Sequence, residues 1–387
     1  MLYADHAATS PIRPEVLNAM RPALTGAFGN PSSRHTAGEA AAALLEDARR
    51  RVARVLGVRT GDVVFTAGGT EANNLALKGI ALGTGADRVL TTPIEHESVL
   101  ASLDYLERFH GVRGTRIPVD PTGRLAPAAL DAALDATDGP GSPDSPALVS
   151  VAHANNEVGT VQDAAALVAV ARQRGALVHL DAVQSAGWLA LDGIGADAVS
   201  IAGHKLGAPK GIGALAVRGR VPVEPLVHGG GQERGRRSGT ENVAGAVGLA
   251  IALELAEAER EAVVARVGDA TARFARAVLR LVPGASPTGD PAFGDPARRL
   301  PATASFTLAG VSGESVLLEL ERRGIVSSSG SACAAGSDEP SHVLLACGID
   351  PVVAQTAIRF TFGRAPVADP EGLAALVAAS VEAVVGR

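Results

Sequence analysis

Between residues 62 and 201, short apolar runs alternate with segments in which apolar residues recur at helical spacing. The pattern predicts strands over 62–66, 88–92, 147–152, 176–181 and 196–201, and helices over 39–56, 70–82, 97–109 and 164–174. Several predicted strands are apolar throughout, as expected for strands that are covered on both faces. The alternation therefore predicts an α/β fold in which a mostly parallel sheet lies between helices.

The last third of the chain has a different pattern. An alanine-rich helix is predicted over 244–281, and a domain boundary is expected within it. Several Gly and Pro residues over 283–301 predict a connection between elements of a second domain, and 371–385 predicts a helix that packs there. The chain thus consists of a large domain and a smaller one.

The composition and net charge of the chain exclude several classes of protein. The chain has 387 residues, 47% hydrophobic residues and a net charge of -6, which excludes a disordered chain and argues against nucleic acid as a partner. No apolar run approaches the length of a membrane helix, and the N-terminal residues lack a secretion signal. Two cysteines cannot form a disulfide framework. These features predict a cytoplasmic location.

Lysine occurs at only three positions in an arginine-rich chain, which points to sites where an amine is needed. Lys205 directly follows a predicted strand, and a lysine in such a place can form a Schiff base. Lys210 lies in a turn rich in Gly and Pro, and Lys78 is expected to be a solvated cation near the end of a helix. Lys205 is therefore the first candidate, before Lys210 and Lys78.

Other candidate groups follow the predicted strands, where ligands of open parallel sheets bind. Gly69 and Thr70 open a helix and suit a phosphate, although an ordinary turn explains them equally. His96 is structural or catalytic, and Asn155 makes a turn or binds a ligand. Asp181 fixes a cofactor or caps a helix.

The two thiols differ in their surroundings. Cys333 lies in a segment of small residues, 327–337, which predicts a mobile, exposed loop that suits a nucleophile. Cys347 is interpreted as a small buried hydrophobe. A metal site with His342 has little support, because no paired cysteines and no tight ligand spacing occur. Arg359 interrupts an apolar run, so it is either salt-bridged or a fork for a carboxylate.

Ten motifs occur in an order that resembles the cysteine desulfurases. These are pyridoxal-phosphate (PLP) enzymes of aminotransferase class V, and the resemblance is to their NifS/IscS-type first group and runs from Tyr3 to Arg364. The motifs span residues 3–9, 28–33, 69–73, 155–159, 179–184, 203–205, 209–213, 228–234, 237–240 and 328–333.

The resemblance implies a PLP-dependent transferase of fold type I. Its large domain, 15–255, would contain a mostly parallel sheet of the seven-stranded type. Residues 1–14 and 256–387 would form a smaller α+β domain that carries the mobile cysteine loop. The resemblance also implies a homodimer in which Thr240 completes the site of the partner subunit.

The resemblance assigns the cofactor site residue by residue. Lys205 would hold PLP covalently and later move the Cα proton, and Asp181 would pair with the pyridine nitrogen. His96 would stack on the ring and assist proton transfer. The remaining cofactor-binding residues would be Gln184 and Asn155 near the phenolic oxygen, and Gly69, Thr70, Ala202, Gly203, His204 and Thr240 around the phosphate.

The implied reaction removes sulfur from L-cysteine. Arg359, with Asn155, would bind the substrate, and the Cys333 thiolate would attack the sulfur, releasing L-alanine and leaving a persulfide on the enzyme. The acceptor would serve iron–sulfur clusters, thio-modification or a sulfur-containing metabolite. No resident metal is implied, and Cys333 would contact a cluster only transiently. The alternatives are a selenocysteine lyase, another class V lyase or transaminase, and a catalytically silent scaffold protein.

Four positions depart from the family pattern. Ala202 stands where many members have a phosphate-binding serine, and losing that hydrogen bond should weaken cofactor retention by about 1 kcal/mol. Gly207 and Ala208 replace the commoner Tyr-Gly, and His6 stands where an aromatic residue or Asn is frequent. The expectation is that these changes affect partner or substrate details rather than the class of enzyme.

Overall fold

The computed structural model describes residues 1–136, 146–330 and 339–386. Within these ranges the backbone forms a seven-stranded sheet, a four-stranded sheet and a pair of short strands. The strands are β1 (Leu2–Tyr3), β2 (Val63–Thr66), β3 (Arg88–Thr91), β4 (Arg113–Arg116), β5 (Ala147–Ala152), β6 (Leu177–Asp181), β7 (Ala198–Ala202), β8 (Gly213–Val217), β9 (Ala285–Pro287), β10 (Thr303–Leu308), β11 (Ile325–Val326), β12 (Ser328–Ser329) and β13 (Ile358–Thr361).

Helices surround the sheets. They are α1 (Pro14–Thr25), α2 (Thr36–Val55), α3 (Gly69–Asn74), α4 (Ile80–Thr84), α5 (Glu97–His110), α6 (Pro127–Asp135), α7 (Ala164–Gln173), α8 (Val243–Ala258), α9 (Arg260–Leu281), α10 (Gly313–Arg322), α11 (His342–Ala346), α12 (Pro351–Ala354) and α13 (Pro370–Val385). A π-helical stretch, Leu75–Gly79, joins α3 to α4. The helix predicted over 70–82 is therefore present but changes its winding in the middle.

The seven-stranded sheet confirms the predicted fold class. Its order is β2-β8-β7-β6-β5-β3-β4; β8 is antiparallel to both neighbours and the other pairs are parallel. The sequence pattern did not predict β4 or β8. Strand β4 lies at the edge of the sheet and reads Arg-Gly-Thr-Arg, so it has no apolar run that would indicate a strand.

Both faces of this sheet are covered, as the apolar strands predict. Alternate residues of β2 show the division: Val63 and Phe65 pack in a core with α2 and α8, whereas Val64 packs in a second core with α5. Because β2 and β5 to β8 are almost entirely buried, the side chains that a ligand can reach lie at the strand ends. The carboxyl ends of the parallel strands therefore determine where a site can form.

The predicted helix over 244–281 is two helices, α8 and α9, that meet at Glu259. The Glu259 carboxylate accepts hydrogen bonds from Arg13 and Arg364. Helix α8 belongs to the core on one face of the large sheet, whereas α9 belongs to a separate core. The change of core lies close to the boundary placed after residue 255, and the domain limits themselves stay a prediction.

The separate core that contains α9 is built on the four-stranded sheet. The strand order of this sheet is β12-β13-β10-β9, and its pairs are all antiparallel. The ring of Phe274 from α9 contacts Phe306, Phe360 and Phe362 edge to face, with centroids 5.0 to 6.3 Å apart. Strand β1 pairs with β11, so the first residues of the chain join this sheet region. Among the described helices, none is long and apolar enough to cross a membrane.

Candidate active site

A cavity of about 1010 Å³ opens at the carboxyl ends of β5, β6 and β7. It brings together side chains from segments that are far apart in the sequence. Of the predicted site residues, the cavity is lined by Gly69, Thr70, His96, Asp181, Gln184, Ala202, His204, Lys205 and Arg359.

Asp181 is the buried acid of the cavity. It is the last residue of β6, and it is 6% exposed. One carboxylate oxygen accepts a hydrogen bond from Asn73 Nδ2 at 2.7 Å, and the other accepts one from the backbone N–H of Val183 at 2.9 Å. Burial raises the pKa of Asp181, and these hydrogen bonds together with the charges of His96 and Lys205 oppose that rise. Asp181 is therefore an acceptor that is already oriented toward the cavity.

Lys205 ends a 3-10 turn that directly follows β7. Its ammonium group donates hydrogen bonds to the backbone carbonyls of Ala7 and Ala8, the second at 2.8 Å. Gln184 also donates to the carbonyl of Ala7, at 3.0 Å. The N-terminal segment thus forms one wall of the cavity and holds the amine at its edge.

His96 lies at the start of α5 and acts as its N-cap. Its Nδ1 accepts a hydrogen bond from the backbone N–H of Ser98 at 3.0 Å and lies 2.8 Å from Ser98 Oγ. Burial lowers the pKa of His96, so the neutral imidazole is the favoured form.

The opposite end of the cavity is lined by backbone and small side chains. A Cβ on Gly69 would lie 2.7 Å from Val183 Cγ2, so a side chain at the start of α3 would require Val183 to shift. His204 Nδ1 lies 3.2 Å from Thr9 Oγ1, and burial lowers the pKa of His204 to about 4. The backbone N–H groups at this helix start and the neutral His204 suit a phosphate group.

Arg359 reaches the cavity from the small sheet. It is 1% exposed, and its guanidinium donates to Asn156 O at 2.9 Å and to Asp5 Oδ1 at 3.0 Å. Its Nε is buried and has no hydrogen-bond partner among the described residues. The salt-bridged alternative therefore applies. The role as a fork for a carboxylate stays a prediction for a side chain that also lines the cavity.

The structure places two predicted cofactor residues outside the cavity wall. The Asn155 amide donates to Ile94 O and accepts from the N–H groups of Glu157 and Val158, so it is used by its own turn. Gly203 is buried behind the wall, where its N–H donates to Ile212 O. For Asn155 the turn interpretation is the one that the geometry supports.

One further predicted residue lies away from the cavity, and another is not among the described residues. Thr240 is exposed and does not line the cavity. Cys333 lies outside the described residues, as does most of the predicted loop 327–337. The other thiol, Cys347, is buried as predicted, and burial raises its pKa to about 11.

The other two lysines differ from Lys205. Lys210 also lines the cavity but is exposed. The expectation for Lys78 is wrong, since its ammonium lies 4.6 Å from the centre of the Tyr105 ring and burial lowers its pKa. It is therefore a half-buried cation over an aromatic face rather than a solvated one.

Gly207, one of the departures from the family pattern, has a structural explanation. It adopts a φ of +85°, and a Cβ there would lie 2.7 Å from Arg13 Cγ. A tyrosine at this position would need Arg13 to move away from its ion pair with Glu259. Gly207 and His6 both line a smaller cavity of about 240 Å³ next to Lys205.

Sequence reasoning missed two polar residues that contact the site. Asn73 and Ser98 are buried and join Asp181 to His96 through hydrogen bonds. Asn73 ends the motif over 69–73 that begins with Gly69, and Ser98 lies two residues after His96. That position was the only available signal, because the contact between α3 and α5 depends on the fold.

The residues present fit PLP. The cavity offers an amine, a buried carboxylate for a pyridine nitrogen and a glycine-lined cradle that a Cβ would fill. Among the described residues, no group of three His, Cys, Asp or Glu side chains is arranged to hold a metal ion.

Comparisons with known proteins agree with this arrangement. The profile of the aminotransferase class-V family matches residues 2–369. A cysteine desulfurase IscS of Dictyoglomus turgidum is 40% identical over 94% of this chain and 89% of its own length. An IscS-like cysteine desulfurase of Mycobacterium tuberculosis is 42% identical over 95% of this chain and 92% of its own. A solved NifS-like protein superimposes with a TM-score of 0.88 at 32% identity, covering all of both chains.

Proposed function

Since the chain belongs to the aminotransferase class-V family and is a PLP-dependent cysteine desulfurase, we propose that Lys205 carries the cofactor, that Arg359 binds the substrate carboxylate and that Cys333 receives the sulfur. The observation that carries this proposal is the meeting of Lys205, Asp181 and Arg359 in one cavity. These residues come from two different sheets, so a purely structural reason for their meeting is weak.

PLP, when bound, supplies an electron sink for the amino acid that is joined to it. The Asp181 carboxylate would accept a hydrogen bond from the ring nitrogen, since Asn73 and Val183 already orient its oxygens. Lys205 would move the proton at the substrate Cα, because its amine lies at the cavity edge. Gly69, Thr70 and His204 would hold the phosphate.

Arg359 is suited to an α-carboxylate. Two of its nitrogens are held by Asn156 and Asp5, which fixes the plane of the guanidinium. The buried Nε without a partner indicates donor capacity that the described residues do not use. A carboxylate can take up that capacity in the geometry that arginine favours.

Sulfur transfer requires a nucleophile and no external oxidant. The Cys333 thiolate would attack the sulfur of the substrate, and an S–S bond would form as the bond between sulfur and Cβ breaks. The electron pair of that bond stays with carbon, and a proton added there completes L-alanine. The sulfur remains on Cys333 as a persulfide, from which an acceptor protein or scaffold can take it.

The described residues beside the Cys333 segment support its access to the cavity. Ser328 pairs directly with Arg359 across β12 and β13. Cys333 follows Ser329 by four residues, and an extended chain spans at most ~3.6 Å per residue, so about 14 Å are available. This span from Ser329, the neighbour of the residue that pairs with Arg359, is long enough for the thiol to approach a substrate bound at Arg359.

A matched pair of thiol variants tests the proposal. The PLP-loaded protein is incubated with L-cysteine, and both alanine release and the masses of the two cysteine-containing peptides are measured. We expect alanine together with one added sulfur on the Cys333 peptide. Cys333→Ala should bind PLP and lose turnover, whereas Cys347→Ala should retain both. Wild-type turnover in Cys333→Ala would refute the assignment of the nucleophile.

The proposal also includes a homodimer in the cytoplasm in which Thr240 completes the partner's site. Thr240 is exposed, and apolar side chains on and near α1 are exposed as well, among them Leu17, Leu24 and Phe28. Such side chains favour an interface between subunits. Mixed dimers of Lys205→Ala and Thr240→Arg chains should regain activity, because one of the two sites then has both groups intact. Activity that stays absent after mixing would contradict a shared site.

A further inference from the structure

A chain of hydrogen bonds joins the two groups of the site that flank the cofactor position. Asn73 Nδ2 donates to Asp181 at 2.7 Å and to Ser98 Oγ at 2.9 Å, and Ser98 Oγ lies 2.8 Å from His96 Nδ1. Asn73 is 2% exposed and Ser98 is 7% exposed, so water does not substitute for these contacts.

The direction of each hydrogen bond follows from the groups themselves. The backbone N–H of Ser98 points at His96 Nδ1, and an amide N–H can only donate, so Nδ1 is an acceptor. The Ser98 hydroxyl accepts from Asn73 and therefore has its own proton available for Nδ1. Asp181 is an acceptor at the other end, which fixes the amide orientation of Asn73.

The position of His96 strengthens this conclusion. His96 caps α5, a helix of 14 residues, through Nδ1. A proton on Nδ1 would remove that cap and would place a positive charge at the positive end of the helix dipole. Helix geometry and the hydroxyl of Ser98 thus favour the same state of the ring.

We propose that Asn73 and Ser98 are positioning residues of the desulfurase site, which hold His96 as a neutral imidazole with its proton on Nε2 and align the Asp181 carboxylate. The proposal rests on the proposed function of the site and on the place beside the cofactor ring that the family resemblance implies for His96. It assigns the general acid or base chemistry of His96 to Nε2 alone, since Nδ1 is committed to α5 and Ser98.

Charged and titratable groups on several elements act on His96. Asp181 and Glu97 favour its protonated form, whereas Lys205 and His342 oppose it, and burial opposes it most. Removal of Ser98 Oγ takes one hydrogen bond away from the neutral ring. Ser98→Ala should therefore raise the pKa of His96, by about half a unit to one unit for a bond of ordinary strength.

The test reads the imidazole nitrogens of His96 directly by ¹⁵N NMR on the full chain, with and without PLP. His96→Gln identifies the resonances among the nine histidines. Ser102→Ala is the matched control, because Ser102 lies one turn further on α5 and its hydroxyl donates to the backbone carbonyl of Ser98 at 2.6 Å. Ser98→Thr keeps the hydroxyl and should keep the wild-type pKa.

We expect the wild-type ring to carry its proton on Nε2, and we expect the upward shift in Ser98→Ala but not in Ser102→Ala. A wild-type proton on Nδ1, or equal shifts in the two alanine variants, would overturn the proposal. The wild-type result decides even if Ser98→Ala fails to fold. The NMR measurement on cofactor-free protein tests the proposal about His96 without requiring turnover. Failure of the proposed function would instead appear as absent alanine release.

Discussion

Arg299 and Arg359 are both only 1% exposed, but they differ in how many of their guanidinium donors have a hydrogen-bond partner. Arg299 donates to the carbonyls of Thr303, Thr288 and Asp290 and to Ser305 Oγ, at 2.7 to 3.0 Å. Its guanidinium carbon also lies 4.2 Å from the centre of the Phe293 ring. Arg359 donates to Asn156 O and Asp5 Oδ1, and its buried Nε has no hydrogen-bond partner among the described residues.

Burial alone does not distinguish a structural arginine from one that can bind a ligand. The distinguishing property is whether neighbouring residues occupy all of its guanidinium donors. A buried donor without a partner costs free energy, and a donor in the wall of a cavity can recover that cost from a bound ligand. The guanidinium of Arg299 donates to acceptors of its own neighbourhood and does not line the large cavity. Arg359 lines the large cavity and retains a donor, which is the property that a substrate site needs.

The largest expected effect is on the stability of the Arg299 region. Arg299→Met keeps the side-chain volume roughly constant but leaves three buried carbonyls without their donor. We expect the free energy of unfolding to fall by about 3–5 kcal/mol, because each buried acceptor that loses its donor costs about 1–3 kcal/mol. Urea denaturation measures this change, and turnover per folded molecule should persist at low temperature. An unchanged unfolding midpoint would show that Arg299 is not structural.

Arg359→Met should show the reverse pattern. Without the guanidinium the substrate carboxylate has no charged partner, and a loss of about 2–5 kcal/mol lowers kcat/KM for L-cysteine by about 30- to 4000-fold. The free energy of unfolding should change less than in Arg299→Met, because the vacated carbonyl and Asp5 can reach water through the cavity. Steady-state alanine release and urea denaturation together check both parts. Equal losses of stability in the two variants would remove the distinction between the regions.

A smaller effect should appear in the pH dependence of stability near the cavity. Burial raises the pKa of Glu95 to about 8, and its carboxylate oxygens accept from Thr92 Oγ1 and the N–H of Ala152. The folded state thus keeps a proton that the unfolded chain loses above its ordinary pKa of about 4.5. The contribution of Glu95 to stability is full below pH 4.5 and is lost as the pH rises toward 8.

Glu95→Gln removes that titration. Its stability relative to wild type should increase between pH 4.5 and 8, by a difference on the order of 2 kcal/mol once relaxation of the site is allowed for. Thermal denaturation across this pH range measures the difference. Glu97→Gln, which removes an exposed carboxyl two residues further on, is the control. A difference that does not vary with pH would contradict the raised pKa of Glu95.

The smallest effect is expected at Cys347. Its thiol is buried and has a pKa raised to about 11, so little thiolate exists at pH 8. Iodoacetamide at that pH should leave Cys347 unmodified in the folded protein while Cys333 reacts. Peptide mass spectrometry after timed alkylation checks this expectation, and unfolded protein is the control. Fast alkylation of Cys347 would show that it is not a closed structural residue.

The sequence predicted the features that depend on strand ends. Asp181 and Lys205 follow buried apolar runs, and the topology of a parallel sheet places such residues at one edge. The sequence could not decide between a turn and ligand binding for Asn155, because an asparagine suits both. Nor could it predict the roles of Asn73 and Ser98, since their contact needs α3 and α5 to pack side by side.

The two arginines illustrate the same limit. Arg359 interrupts an apolar strand, which made it a candidate site residue. Arg299 lies in a stretch rich in Gly and Pro, where the sequence pattern does not predict a role for it. Their difference in donor saturation arises from neighbours that are distant in the sequence, such as Asp5 for Arg359. Such contacts are set by how the N-terminal segment and the small sheet meet.

The most direct test of the account is whether Arg359 recognises the substrate carboxylate. Turnover of L-cysteine and of L-cysteinamide, which lacks the charge, is measured with wild type, Arg359→Met and Arg299→Met. The account predicts that wild type and Arg299→Met strongly prefer L-cysteine, and that Arg359→Met loses most of this preference. An undiminished preference in Arg359→Met would contradict the account.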